Sequence, residues 1–181
     1  MRPLNIDLTQ QQRQGVINLL NLNKDLSDAY LLVVKTKKFH WDVVEPQFHS
    51  LHQIWEEQYE QLTENIDAIA ERIRALGGYP IGTMKGFLKN GTLKEQPDEV
   101  PTTIGMAALL VDDHEQIIRN LREHIDRRAE QFHDRGTADF LTELVEGHEE
   151  MAWMLRSFIE GQALEGDNSQ PATEKKTPVG V

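Results

Sequence analysis

The side chains best suited to chemistry stand between Lys38 and Gly78, in KFHWDVVEPQFHSLHQIWEEQYEQLTENIDAIAERIRALGG. His40 comes first. His52 and Glu56 follow, four residues apart, and then Asp67 and Glu71 with the same spacing. Imidazole and carboxylate together form the ligand set for Fe, Zn or Mn where no thiolate is offered. None is offered here, because the 181 residues include no cysteine. The same absence excludes disulfides, iron–sulfur clusters and cysteine nucleophiles.

A four-residue step brings side chains together only on a helix, and the apolar residues predict one. From Gln47 to Leu76 they fall at Phe48, Leu51, Trp55, Tyr59, Leu62, Ile66, Ile69, Ile73 and Leu76, in steps of three and four. Gly77-Gly78-Tyr79-Pro80 then stops the helix. At about 100° per residue, His52, Glu56, Asp67 and Glu71 share an arc of roughly 100° beside the apolar seam. Charged residues at this spacing are ordinarily a solvated face. A histidine-bearing pair aligned with a second acidic pair is a stronger signal.

Helix geometry limits what these residues can build. Asp67 lies ~22 Å beyond His52 along the axis, whereas a ligand atom sits only ~2 Å from its metal. One chain cannot close a single site from both pairs. A second copy packed antiparallel about a two-fold axis near Gln61 and Leu62 would set His52 and Glu56 against the partner's acidic pair. Two equivalent sites would result, each closed by His40 from the preceding helix. A metal centre inside one bundle needs Glu-x-x-His on two helices. Glu130 and His133 supply that spacing once, near a helix end.

Three more helices must carry and frame this one. Periodicity predicts a first helix from about Leu8 to Asp42, a third from Pro101-Thr102-Thr103 to about Phe132, and a fourth from Thr137 through Leu141, Leu144, Met151, Leu155 and Phe158. The long connection from Ile81 to Val100 holds a short helix at Met84–Lys89. The fold class is therefore all-α, a four-helix bundle with one long crossover, for which a ferritin-like fold stands slightly ahead of other all-helical bundles. Residues 1–8 read as an N-terminal extension, 9–163 as the bundle, and 164–181 as a tail with too little to bury to remain ordered. No apolar run approaches the ~18 residues of a membrane span. MRPLNIDLTQQQ lacks the features of a secretory signal, which makes the cytoplasm the expected location.

FHW (Phe39–Trp41), PQFHSLHQIWEEQYEQL, IDAIAERIRALGG (Ile66–Gly78), GTMKGFL, TADFL and EEMAWMLRSFIEG together resemble the Dps-type mini-ferritins, the DNA-binding proteins from starved cells. The likeness covers about residues 10–160. It implies a hollow homododecamer with ferroxidase sites at two-fold interfaces. His40 and His52 match the family's histidine ligands, and Glu56 matches a further carboxylate that is often Asp. Asp67 and Glu71 match the carboxylates given by the neighbouring subunit. The implied reaction is oxidation of Fe(II), with hydrogen peroxide the preferred oxidant and dioxygen a slower one, and storage of ferric mineral. Zn or Mn would suit the same ligands. Trp41 resembles a family Trp that intercepts stray oxidising equivalents, and Glu130, Asp134 and Asp139 approximate acidic positions lining three-fold pores.

The other histidines read plainly. His148 lies on an apolar stripe and is expected to be a satisfied core residue, and His49 is a candidate auxiliary ligand. His114, His124 and His133 have no partner visible in the sequence. The alternative function is a nucleoid-associated, DNA-protecting shell with incidental metal binding. Charge argues against it: 30 acidic residues against 19 basic ones leave −11 per chain, and affinity for phosphates comes from cations. The few basic residues near the termini are Arg2, Arg13, Lys175 and Lys176. A mobility-shift experiment at ~0.15 M salt should therefore leave duplex DNA unshifted.

Overall fold

The computed structural model describes residues 4–19, 22–44, 48–95 and 100–160, and all regular structure within them is helical. In chain order the elements are α1 (Gln10–Gln14), a π-helical segment (Gly15–Leu19), α2 (Leu22–Asp42), α3 (Phe48–Ala75), α4 (Met84–Asn90), α5 (Thr103–Gln131) and α6 (Arg135–Ile159). The expected all-α bundle is present. α2 packs along α3 and α5 along α6, with α4 in the crossover lying against α2. No helix among the described residues is long and apolar enough to cross a membrane.

Local chemistry sets most boundaries. Thr83 caps α4 by accepting from the Gly86 N–H, and Thr102 caps α5 by accepting from the Gly105 N–H, each at 3.1 Å. α3 ends where Gly77 turns left-handed at φ 84°, and the Gly78 N–H reaches back to the Ile73 carbonyl at 2.9 Å. Only glycine adopts that turn without steric cost.

The first expected helix is not continuous. Leu8–Asp42 divides into α1, the π-helical segment and α2. The interruption falls on Gly15-Val16-Ile17-Asn18, four residues with below-average helix propensity. The fourth helix starts at Arg135, two residues before the expected Thr137. The ordered bundle's expected end at 163 and the 164–181 tail lie outside the described residues, as do Met1–Pro3.

Apolar stripes from all four long helices meet in one core, where Trp55, Phe39, Leu26, Leu32, Leu62, Ile73 and Leu110 are almost wholly enclosed. Running through it is a line of polar contacts between α2 and α5. The Asp25 carboxylate meets His124 Nδ1 at 2.9 Å, and the Lys35 ammonium meets Asp113 at 2.5 Å. Between them, Asp28 accepts from the Thr92 and Leu93 N–H groups and from the Thr92 hydroxyl, with Asn120 alongside. One carboxylate thus ties the crossover loop to the bundle. Asp28→Ala strands two backbone donors and should destabilise the fold by about 3 kcal/mol, read as a lowered midpoint of thermal unfolding, with Asp28→Asn losing less.

Candidate metal centre

His40 stands in the last turn of α2 and His52 in the second turn of α3. His40 Nδ1 is 2.7 Å from the His52 carbonyl oxygen, and His52 Nδ1 is 2.8 Å from the His40 carbonyl oxygen. A carbonyl only accepts, so both Nδ1 atoms carry the proton and each Nε2 keeps its lone pair for a cation. The His40 carbonyl is among those a helix end leaves without a backbone donor, which makes it available for this role. The rings stack at 3.6 Å. Phe48 covers the outer face of His52 at 4.9 Å, and Tyr59 stands edge-on to His40 at 5.3 Å.

Glu56 lies one turn beyond His52 and is exposed, its carboxylate accepting from the Tyr59 hydroxyl at 3.3 Å. The Tyr59 phenol is pushed above its ordinary pKa, first by desolvation and then by the charge and hydrogen bond of Glu56. It is therefore a neutral donor at physiological pH.

Asp67 and Glu71 lie exposed towards the other end of α3. Among the described residues, no three His, Asp or Glu side chains gather closely enough to hold a metal within one chain. The protomer brings His40 and His52 together and leaves the three carboxylates, Glu56, Asp67 and Glu71, on open surface. At the expected level of the two-fold axis, Leu62 is fully enclosed in the core. Glu60 and Thr63 provide the exposed surface there instead.

The acidic trio separates. Asp134 is 3% exposed and serves as the N-cap of α6. Its carboxylate accepts from the Thr137 N–H and from Arg72 Nη2, each at 3.0 Å, while Arg72 Nε donates to the Thr137 hydroxyl at 2.9 Å. The expectation that Asp134 lines a pore is corrected: its oxygens are committed to a helix cap and an ion pair. A Cβ on Gly136 would stand 3.2 Å from Arg72 Nη2, so glycine admits the guanidinium. Glu130 and Asp139 remain exposed. Trp41 is 71% exposed and does not pack at the helix end. His49 is also exposed.

Two histidine partnerships were not legible. His124 meets Asp25, and His114 Nδ1 meets His148 Nδ1 at 2.9 Å. The available signal was only that these histidines interrupt otherwise apolar stripes.

Comparison with known proteins bears on the family and the fold. The ferritin-like domain family matches residues 19–163. A low temperature-induced protein of Nostoc sp. is 70% identical over the full length of both chains. DNA protection during starvation protein 2 of Bacillus anthracis is 38% identical, covering 76% of this chain and 93% of its own. A crystal structure of a Vibrio cholerae Dps protein, described as a member of a broad superfamily of ferritin-like diiron-carboxylate proteins, superposes with a TM-score of 0.80 at 28% identity. It covers 88% of this chain and 98% of its own.

The structural role of Asp134 separates it from Asp139 by experiment. Arg72→Met should lower stability by about 1–3 kcal/mol by leaving a buried carboxylate without its cation, whereas Asp139→Asn should leave the unfolding midpoint within the ordinary scatter of surface changes.

Proposed function

Because this chain belongs to the Dps-type mini-ferritins of the ferritin-like family, whose diiron-carboxylate chemistry implies iron binding, we propose that it is an iron-storing, peroxide-consuming ferroxidase. The observation that carries the proposal is the His40–His52 clasp, which fixes two free Nε2 atoms side by side. The active unit is a two-fold dimer within a larger shell, a dodecamer. His40, His52 and Glu56 of one subunit face Asp67 and Glu71 of the antiparallel copy, and the product is ferric mineral held in the hollow interior. The enzyme works in the cytoplasm.

Fe(II) is the substrate. Each peroxide takes one electron from each of two Fe(II) ions, its O–O bond breaks, and two protons complete two waters. Taking both electrons at once avoids the hydroxyl radical that a single-electron step releases. His40 and His52 bind through Nε2 with no ring rotation left to lose. Glu56, Asp67 and Glu71 supply hard oxygen donors that favour Fe(III), and Tyr59 steadies Glu56. Trp41, beside His40, is placed to be oxidised in place of more distant targets. Glu130 and Asp139 are the carboxylates available to draw cations towards the shell.

A DNA-protecting shell is the second reading, favoured by the printed name of the Bacillus anthracis relative. The two readings part on one experiment. The His52→Ala/Asp67→Ala variant of the sized oligomer, loaded anaerobically with Fe(II) and then given peroxide or dioxygen, should oxidise iron about 100-fold more slowly or worse, since changes behind the ligands already cost 10–100-fold. Undiminished oxidation would overturn the ferroxidase and leave the shell. Zn(II), which carries no redox chemistry, should compete with Fe(II) in the parent protein.

A further inference from the structure

Away from the metal ligands, two imidazoles are sealed in the middle of the bundle. His114 of α5 is 0% exposed and His148 of α6 is 3% exposed, and their Nδ1 atoms meet at 2.9 Å. In such a contact one ring donates and the other accepts, so at least one Nδ1 must be unprotonated. If both rings gain a proton, two N–H groups and two positive charges face each other across a hydrogen-bond length. His114 Nε2 is also buried and has no partner. Nothing is in place there to receive the proton of a charged ring.

The surroundings offer no compensating anion. Among the described residues no carboxylate bonds either imidazole. On α2, Lys35 is committed to Asp113, and Asp28 to Thr92, Leu93 and Asn120. On α3 the buried polar groups are Trp55 and Gln58, both uncharged, and the Gln58 amide donates to the Met151 carbonyl. On α5 and α6, Glu115 pairs with Arg156 and Glu149 with Arg122, on the exposed side of the helices. The carboxylates nearby are thus spoken for.

We propose that the His114–His148 contact is an acid-sensitive lock between α5 and α6, closed while at most one of the two rings is charged and opened when both are. Burial acts in the direction this requires: it lowers His148 to about 4 and His114 well below the usual 6.5, where the neighbouring His148 adds to the effect. The opened or unfolded helices bind protons at 6.5, before the closed bundle does. Stability from the pair is therefore complete above 6.5 and is lost as pH falls from there towards about 4. Acidification alone would loosen the bundle from the inside.

Amide hydrogen exchange on the intact oligomer tests this, comparing the parent with His114→Asn/His148→Asn at matched pH so that the chemical rate cancels. Asparagine places an amide where Nδ1 stood and does not titrate. Between pH 7.5 and 5.5 the opening equilibrium of α5 and α6 should rise in the parent, relative to the variant, by about tenfold per histidine, ~100-fold in all. If the double variant does not fold, His148→Asn alone should show about tenfold. An equal pH response in parent and variant would overturn the lock.

Discussion

The rise of an α-helix governs this molecule. α3 is one 28-residue rod, and its candidate ligands sit in two groups ~22 Å apart. No side chain spans that gap, and no bend in the helix brings the groups together. In the proposed ferroxidase each protomer carries two incomplete halves of a site, towards opposite ends of the same rod. A rigid rod also makes the halves complementary, because a copy laid antiparallel matches them at both ends at once. In that reading two-fold symmetry follows from where the chemistry is placed, and the rest of the bundle serves to keep α3 straight and its outer face clear.

That service explains the polar contacts elsewhere. A bundle held only by apolar stripes can slide by a turn at little cost. The Asp25–His124, Asp28–Asn120 and Lys35–Asp113 contacts join α2 to α5 and are satisfied in one register. Lys35 also shows how such a pair depends on its partner: desolvation raises the Asp113 pKa while the ammonium opposes the shift. At the far end, Arg72 holds α3 against the start of α6 through Asp134 and Thr137. Asp67 and Glu71 stand immediately before this anchor.

The sequence made the bundle legible wherever chemistry is local. The three- and four-residue steps of α3, the Gly77 stop and the short α4 all depend on neighbours within a turn or two. His52, Glu56, Asp67 and Glu71 fall on one stripe of α3 for the same reason, since a stripe on one helix follows from periodicity alone. Contacts between distant segments left no such trace. His114 and His148 are 34 residues apart and His124 and Asp25 are 99 apart, so nothing along the chain pairs them. Asp134 failed in a related way. Its acidity suggested a pore, but its position three residues before Thr137 makes it a cap, and its cation comes from 62 residues away. The break at Gly15–Leu19 was missed because apolar periodicity continues across it.

The reciprocal bonds between His40 and His52 have one more consequence. Each ring is oriented by the other residue's backbone, and the two bonds close a loop that joins the end of α2 to the beginning of α3. Because each bond runs to backbone, replacing either histidine removes one imidazole and one of the two ties between the helix ends, while the carbonyl that orients the other ring remains.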